Sequence, residues 1–278
     1  MERKEAKPKI THPETIKKKK DIVNHLRSMY ETVKQFKRSI PNNGLEELGI
    51  KLLHLDLERP SSNYYRPLEK SEYNSRSFGS FHPFREDEED RSDSNDAVQV
   101  KLSNLSIAVG MLWCDDSSHT QWLQEHIVKC YREKPPVSLT EYAKVDGAEY
   151  DWITTNMIQT ADKKYPHCKC VVRQDVEHGE ELKRSEILPI LVLMRWRMGL
   201  LCYQQHEVFP VEVLSVYGRR ARILIGYFDG KHLCVQKSPI HDIGSKGLQN
   251  WILLMKWWFS DAAGDTACLP SPQDIKDL

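Results

Sequence analysis

One short pattern in the chain has the residue types of a metal site. His167 comes directly before a Cys-Lys-Cys step at residues 168–170. Imidazole and thiolate groups bind Zn²⁺, but a single C-x-C step without a second close pair supplies a poor tetrahedral set. Alternating positions of an apolar strand account better for the two cysteines. The other histidines are scattered without ligand spacing, and no P-loop, glycine-rich dinucleotide loop or Ser-His-Asp order occurs, so no other common catalytic class is favoured.

Basic residues form two groups that could contact a nucleic-acid backbone. Lys17–Lys20 is an unbroken run of four lysines, within a segment of residues 1–40 that holds twelve Lys/Arg against five Asp/Glu. The second group consists of Arg195, Arg219, Arg220 and Arg222. Either group could bind phosphates, and the lysine run could also act as a nuclear-import signal. A solvated arm and the solvated edges of a helix and a hairpin explain the same residues, and we favour that interpretation.

Three tryptophans near the C-terminus, Trp251, Trp257 and Trp258, could stack on bases or contact a protein partner. Their neighbours favour a different role. Apolar residues recur at three- and four-residue steps through this stretch, which predicts one buried face of a helix. These residues are Leu248, Trp251, Ile252, Met255, Trp258 and Phe259. We therefore expect the helix to close the core of the domain.

The composition predicts one principal domain with appendages. With 278 residues, of which 40% are apolar and 29% charged, the chain can bury one good core. Lys+Arg and Asp+Glu both number 40, so the overall charge selects no class of partner. No stretch approaches the roughly 20 apolar residues of a membrane span, and none resembles a signal peptide. We expect an intracellular protein of the nucleus or cytoplasm, without a membrane partner and with its seven cysteines reduced.

The N-terminal part is predicted to contribute one helix and little other order. Residues 1–20 have the composition of a basic disordered arm. Residues 21–59 form a helical segment, because apolar residues recur at three- and four-residue steps as far as Phe36. Residues 60–96 are rich in Ser, Asn, Arg and acid, with an acidic run at 86–90, and are predicted to be a disordered acidic and polar loop.

The remaining chain predicts an α/β domain at residues 97–262 and a C-terminal tail at 263–278. Asp229-Gly230 is a strong hairpin signal, because both turn residues must take positive φ. The predicted elements are a helix from Trp122 to Tyr131, a strand at 168–172, a helix from Ser185 to about Gln205, strands at 208–216, 222–228 and 231–237, and a helix that begins near Ser245.

Short patterns between residues 140 and 260 together match a known family. They are Lys144-Val145-Asp146, Gln159-Thr160, Tyr165-Pro166, the strand Cys168–Arg173 with the helix after it, Phe209-Pro-Val, Gly218, Ala221-Arg-Ile and Ile243-Gly-Ser245. The chain resembles the PD-(D/E)xK nuclease-like proteins of filamentous fungi, relatives of the restriction-endonuclease fold. The resemblance implies an α/β protein with a restriction-endonuclease-like core, in which helices flank a mixed central sheet, together with an N-terminal helix and a disordered insertion.

The resemblance also implies which residues could cleave a phosphodiester. In this family, an Asp at one strand start and an acid two residues before a Lys on the next strand hold one or two Mg²⁺ ions, and the Lys orients the attacking water. Asp146 stands at the first position and would be the metal ligand. The next strand reads Val-Val-Arg at 171–173, so the acid is missing and Arg173 replaces the Lys. Glu181 and Lys183 form an acid-x-Lys step further on, in a polar stretch that predicts a loop.

These departures predict a nuclease-like fold with a degenerate site. A single carboxylate should hold Mg²⁺ poorly, because this ion sheds its water reluctantly. Glu177 or Glu180 could supply a migrated acid, but a flexible loop would not fix its geometry. We expect a weak or inactive Mg²⁺-dependent DNA nuclease, or a nucleic-acid-binding relic of one. The alternative is a non-enzymatic accessory or scaffold protein that binds a protein partner, for example alongside a fungal biosynthetic pathway.

Overall fold

The computed structural model describes residues 13–59, 62–69, 122–124, 152–160, 164–174, 179–244 and 247–270. Its helices are α1 (Pro13–Val33), α2 (Asn42–Glu47), α3 (Arg184–Met198) and α4 (Leu248–Trp258), with a short 3₁₀ helix at Leu201–Tyr203. Its strands are β1 (Ser39–Ile40), β2 (Ile50–His54), β3 (Tyr65–Arg66), β4 (Trp122–Gln124), β5 (Trp152–Thr160), β6 (Cys168–Gln174), β7 (Leu182–Lys183), β8 (Val211–Tyr217), β9 (Arg220–Phe228), β10 (Leu233–Lys237), β11 (His241–Asp242) and β12 (Asp261–Ala262).

An eight-stranded mixed sheet forms the centre of the fold. Its order is β2-β10-β9-β8-β6-β5-β4, with β11 paired to β9. The β6–β8 and β10–β2 pairs are parallel, and α3 makes the crossover between β6 and β8. The other pairs of this sheet are antiparallel. The prediction of an α/β fold with a mixed central sheet flanked by helices is confirmed at this level.

Helices cover both faces of the sheet. Residues of α1 and α3, among them Leu26, Val33 and Leu191, pack in one hydrophobic cluster with alternate residues of β6 and β8. Residues of α4 pack in a second cluster on the other face. The three tryptophans of α4 are between 0% and 2% exposed, which confirms the predicted core helix. Side chains this deeply buried cannot stack on bases or bind a protein partner.

The N-terminal part is more ordered than predicted. α1 begins at Pro13, so the lysine run 17–20 belongs to a helix and the predicted disordered arm is wrong from residue 13 onward. β2 adds an edge strand to the central sheet, and β3 pairs with β12 inside the segment predicted as a loop. Tyr65 in β3 is fully buried. Strand pairing with residues far along the chain supplies this order, which local composition does not reveal.

Two further predictions concern the middle of the chain. Trp122–Gln124 forms a strand that pairs with β5 in antiparallel register, where the apolar periodicity predicted a helix. Tertiary pairing overrides helical periodicity here. The predicted hairpin is confirmed, since β9 and β10 pair in antiparallel register, but its connection comprises residues 229–232 rather than Asp229-Gly230 alone; Gly230 has φ of 100°. The acidic run at 86–90 lies outside the described residues.

Gly226 marks the closest approach of α3 to the sheet. A Cβ at this position of β9 would lie 2.4 Å from Cγ2 of Ile190 in α3. We expect Gly226→Ala to lower the free energy of unfolding by about 1–3 kcal/mol, because the core must shift to accept the methyl group. Urea unfolding measures this cost. In an Ile190→Ala background the same substitution should cost much less, and an equal cost in both backgrounds would contradict this account.

Within the described parts of the chain, no helix is both long enough and apolar enough to cross a membrane.

Candidate functional site

A buried polar cluster lies where the parallel strands β6 and β8 end and α3 begins. We name it the arginine–glutamate cluster and define it as Gln174, Ser185, Glu186, Ser215 and Arg222. The register places Ser215 of β8 opposite Arg222 of β9, and α3 supplies the next two side chains at its first turn. All five residues are at most 7% exposed. This end of the sheet is where the crossover brings residues from three separate segments together.

The side-chain carboxylate of Glu186 accepts hydrogen bonds from three donors of the protein. Its Oε1 accepts from Nε of Arg222 at 2.7 Å and its Oε2 accepts from Nη2 at 2.5 Å. Oε2 also accepts from the backbone N–H of Lys183 at 2.8 Å, which satisfies one of the unpaired donors at the start of α3. Both charged side chains are fully buried. Because the carboxylate already receives three hydrogen bonds from the protein, it has little capacity left for a metal ion.

The same guanidinium holds the polar segment before α3. Arg222 donates to the carbonyl of Gly179 at 3.1 Å and to the carbonyl of Glu181 at 3.0 Å. Gln174 links the neighbouring elements, since its amide donates to Ser215 at 2.8 Å and accepts from Ser185. The cluster therefore ties β6, β8, β9 and the start of α3 into one unit. The prediction of a loop before α3 agrees with residues 179–181, whereas residues 182–183 form β7.

Two lysines flank the cluster. Lys183, the N-cap residue of α3, is 7% exposed and its Nζ donates to Oγ of Ser39 at 3.1 Å. Burial lowers the pKa of Lys183, while the charge of Glu186 opposes that shift. Lys237 donates to the backbone carbonyl of Glu180, and burial lowers its pKa too. The lysines therefore anchor the segment 179–183 from both sides.

The predicted catalytic residues do not assemble into a metal site within the described residues. Glu181 is exposed and contributes its backbone carbonyl to Arg222. Arg173 of β6 lies on the α4 face of the sheet, because Lys169 and Val171, four and two residues before it, face α4. The described chain holds no group of three His, Cys, Asp or Glu side chains that could bind a metal ion. Asp146 and Glu177 lie outside the described residues.

The predicted nucleic-acid-binding arginines separate into different environments. Arg222 is fully buried and paired with Glu186, so the prediction that it contacts a nucleic-acid backbone is wrong. Arg219 and Arg220 lie at the turn between β8 and β9, and Arg220 is exposed. Arg195 is near the other end of α3, about 15 Å along the helix axis from Ser185 at 1.5 Å per residue. These residues do not form one surface.

A second buried ion pair was not anticipated from the sequence. Nζ of Lys169 in β6 lies 3.3 Å from Oε2 of Glu212 in β8, and both side chains are 0% exposed. The same Nζ donates to the carbonyl of Trp258, the last residue of α4, at 2.9 Å and to that of Ser260, two residues beyond it, at 2.8 Å. A cation at a helix C-terminus satisfies carbonyls that have no partner within the helix. Opposite charges inside two apolar strands are the signal that could have revealed this pair.

The buried ion pair of Lys169 and Glu212 supports the structure and is not an accessible active site. Burial lowers the pKa of Lys169 to about 8, although Glu212 opposes that shift. Burial also raises the pKa of Glu212. Ser260 bridges the pair, because its hydroxyl accepts from Lys169 at 2.8 Å and donates to Glu212 at 3.0 Å. With no exposed atom on either charged side chain, a substrate cannot reach the pair without opening the core.

The cysteines flanking Lys169 are core residues, as the sequence suggested. Cys168 and Cys170 are both fully buried in the cluster on the α1 and α3 face. Burial raises the pKa of Cys168 to about 12, which keeps the thiol protonated and disfavours metal binding. His167 is also fully buried, and its Nε2 lies 3.0 Å from the carbonyl of Ala263. These three residues do not form a metal site.

The four lysines at residues 17–20 point to different sides of α1. The side chains of Lys18 and Lys19 contact residues that follow α3. Nζ of Lys18 lies 3.2 Å from Oε2 of Glu207. Nζ of Lys19 donates to the carbonyls of Tyr203 and Gln204, at 3.2 and 2.5 Å. Two of the four lysines therefore dock the first turns of α1 against the segment that follows α3.

The other two lysines lie on the outward side of α1. Lys17, Lys20 and Arg27 are all exposed, and their spacing places them on one side of the helix, opposite its buried face. The exposed acids Asp21 and Glu31 lie on the same side. We name these three residues, with Arg195, the α1 basic face. The guanidinium of Arg195 lies over the ring of Tyr30 at 5.9 Å. Burial lowers the pKa of Arg195, and the charge of Arg27 adds to that shift, as expected for neighbouring cations.

Comparison with protein-family models, with curated proteins and with solved structures finds no match to this chain.

Proposed function

We propose that this chain is a nuclease-like protein that binds a nucleic-acid backbone without cleaving it. The α1 basic face carries this proposal. Residues 13–38, which comprise α1 and the turn after it, contain eight Lys/Arg against three Asp/Glu, whereas the whole chain has a formal charge of zero. An excess of basic over acidic residues, concentrated in one segment of a chain without net charge, is the electrostatic pattern expected for a phosphate-backbone contact.

The restriction-endonuclease-like core belongs to the same proposal. The resemblance puts the second metal-binding acid and its Lys on β6, where this chain has Val171 and Arg173. An arginine there carries a charge that can contact phosphate, but it cannot hold Mg²⁺ or activate water. The buried carboxylate of Glu186 lies on the opposite face of the sheet and is paired with Arg222. A binding role fits these residues better than catalysis does.

The α1 basic face can be tested by measuring DNA affinity against salt. The variant Lys20→Ala/Arg27→Ala removes one lysine and one arginine from that face. If both contact phosphates, the slope of log K against log salt for a labelled duplex should fall by about 2. Fluorescence anisotropy of the duplex between 50 and 200 mM salt, roughly the range in which such binding changes most, measures this slope.

A matched control uses charges elsewhere on the surface. Arg59→Ala/Lys164→Ala also removes one arginine and one lysine, both exposed and both outside α1. This variant should bind like the wild type. Equal weakening of DNA binding by both variants would show only a general effect of charge, and absence of any change in anisotropy at low salt would rule the proposal out.

The wild type should also leave a supercoiled plasmid intact with Mg²⁺ or Mn²⁺. Cleavage that Asp146→Ala abolishes would establish the nuclease instead.

A further inference from the structure

The outer edge of β2 is suited to pairing with the same edge of a second copy. We propose that β2 joins β2 of another chain in antiparallel register, with Leu52 on the two-fold axis, so that two central sheets become one. The proposal goes beyond nucleic-acid binding and rests on other residues, so either can fail without the other.

The direction of the main-chain groups follows from the pairing of β2 with β10. The N–H of Leu233 donates to the carbonyl of Gly49, and the N–H of Leu55 donates to the carbonyl of Lys237. In a parallel pair every second residue of a strand points its N–H and C=O at the neighbour. Residues 49, 51, 53 and 55 therefore face β10. Ile50, Leu52 and His54 direct three N–H and three C=O groups outward.

No strand in the described parts of the chain pairs with this edge, although α2 lies beside its first residue, Ile50, which is 5% exposed. β2 is the last strand on its side of the sheet order, and Leu52 is 39% exposed, one of three large hydrophobic residues exposed to this degree among the described residues. Edge strands are usually protected by proline, a bulge or charged side chains. β2 has no proline, and its register with β10 is continuous over all five residues. Its one lysine, Lys51, directs its main-chain groups at β10.

The edge is self-complementary in the antiparallel register. With Leu52 opposite Leu52 of the second copy, Ile50 faces His54 of the second copy, and His54 faces its Ile50. All six outward groups then find partners, in three hydrogen-bonded pairs. Lys51 lies opposite Leu53 of the second copy, so the two lysines do not face each other. Like charges directly opposite would oppose the pairing.

The groove beside β2 also fits this register. A groove of about 620 Å³ runs beside β2 and is lined by Leu45 and Glu46 of α2, by Ile50 and by Leu52. Opposite Ile50, His54 of the second copy would enter this groove close to the carboxylate of Glu46. The two-fold axis is perpendicular to the sheet, so both copies would present their α1 helices on the same side of the joined sheet.

Light scattering after size exclusion tests the dimer directly. The wild type should approach twice the 32.4 kDa of one chain as its concentration rises, while Leu52→Pro should stay monomeric. Proline removes only an outward N–H, so the pairing of β2 with β10 is retained. Leu52→Thr is the matched control, because it also loses the leucine but keeps the N–H, and it should dimerise more strongly than Leu52→Pro. A wild type that is monomeric throughout overturns the proposal.

Two charge variants test the position of the axis. Leu52→Lys and Leu52→Asp should each be monomeric and folded, because each places two like charges opposite one another. An equimolar mixture should associate more than either variant alone, because only the mixed dimer pairs opposite charges at this position. This result would hold even if Leu52→Pro failed to fold. A mixture no more associated than its components would place the contact elsewhere and refute the two-fold at Leu52.

Discussion

Replacing Arg222 with methionine is expected to lower the free energy of unfolding by about 3–5 kcal/mol, the range for removing one member of a buried ion pair. Glu186 would keep a buried negative charge without its partner, since both side chains are 0% exposed. The carbonyls of Gly179 and Glu181 would also lose their donor. Urea unfolding followed by circular dichroism measures the loss, and hydrogen exchange should increase first in residues 179–183.

Arg220 supplies a matched control for this substitution. It lies two residues before Arg222 in the same strand but is exposed, so Arg220→Met should change stability by no more than about 0.5 kcal/mol. The double variant Arg222→Met/Glu186→Met should lose less than the sum of the single variants, because it removes both charges and leaves neither unpaired. If Arg222→Met cost no more than Arg220→Met, the ion pair would not be what holds this end of the sheet together.

The second large effect expected is a loss of stability in acid that depends on His167. Burial, with smaller contributions from the charges of Lys169 and Arg197, lowers the pKa of His167 to about 3. In the unfolded chain the ring takes up a proton below about pH 6.5. Between these values the unfolded state binds more protons, so stability falls as the pH drops through this window. At about 1.4 kcal/mol per pH unit, the loss from this residue between pH 7 and pH 4 is about 3 kcal/mol.

His167→Gln isolates this contribution. The glutamine amide can still donate to the carbonyl of Ala263 but takes up no proton in this range. The variant should be less stable than the wild type at pH 7, because the imidazole packs against the rings of Tyr64 and Tyr65. Its stability should nevertheless fall by about 3 kcal/mol less between pH 7 and pH 4.

Burial also lowers the pKa of His206 and His241, so some acid sensitivity should remain in every variant. Equal pH dependence of His167→Gln and the wild type would mean that the His167 ring takes up a proton in the folded protein as readily as in the unfolded one.

Local patterns were sufficient for elements whose stability depends on neighbours in the chain. The residues of the connection at 229–232 specify the hairpin, because Asp229 Oδ1 accepts from the N–H groups of Lys231 and His232 and Gly230 supplies a positive φ. The apolar periodicity of α4 predicted its buried face, and the apolar run at 168–172 predicted β6. In each case the pattern of a few adjacent residues determines which side is buried.

Pairing between distant segments decided the rest. Four consecutive lysines look like a solvated arm, yet contacts of Lys18 and Lys19 with residues more than 180 positions away support a helix through them. β2 and β3 depend on partner strands far along the chain. Trp122–Gln124 is a strand because β5 pairs with it, although its own periodicity suits a helix.

The sequence by itself determined the mixed α/β character of this protein, the hairpin, the core helix α4 and the absence of an acid from β6. Only the tertiary structure decided which of its charged side chains are buried and paired and which are exposed. Arg219, Arg220 and Arg222 are nearly alike in the sequence, but Arg222 is buried because Glu186, 36 residues earlier, reaches it across the crossover. A buried charge is stable only when its partner arrives in the right geometry, and that partner is set by the fold rather than by neighbouring residues.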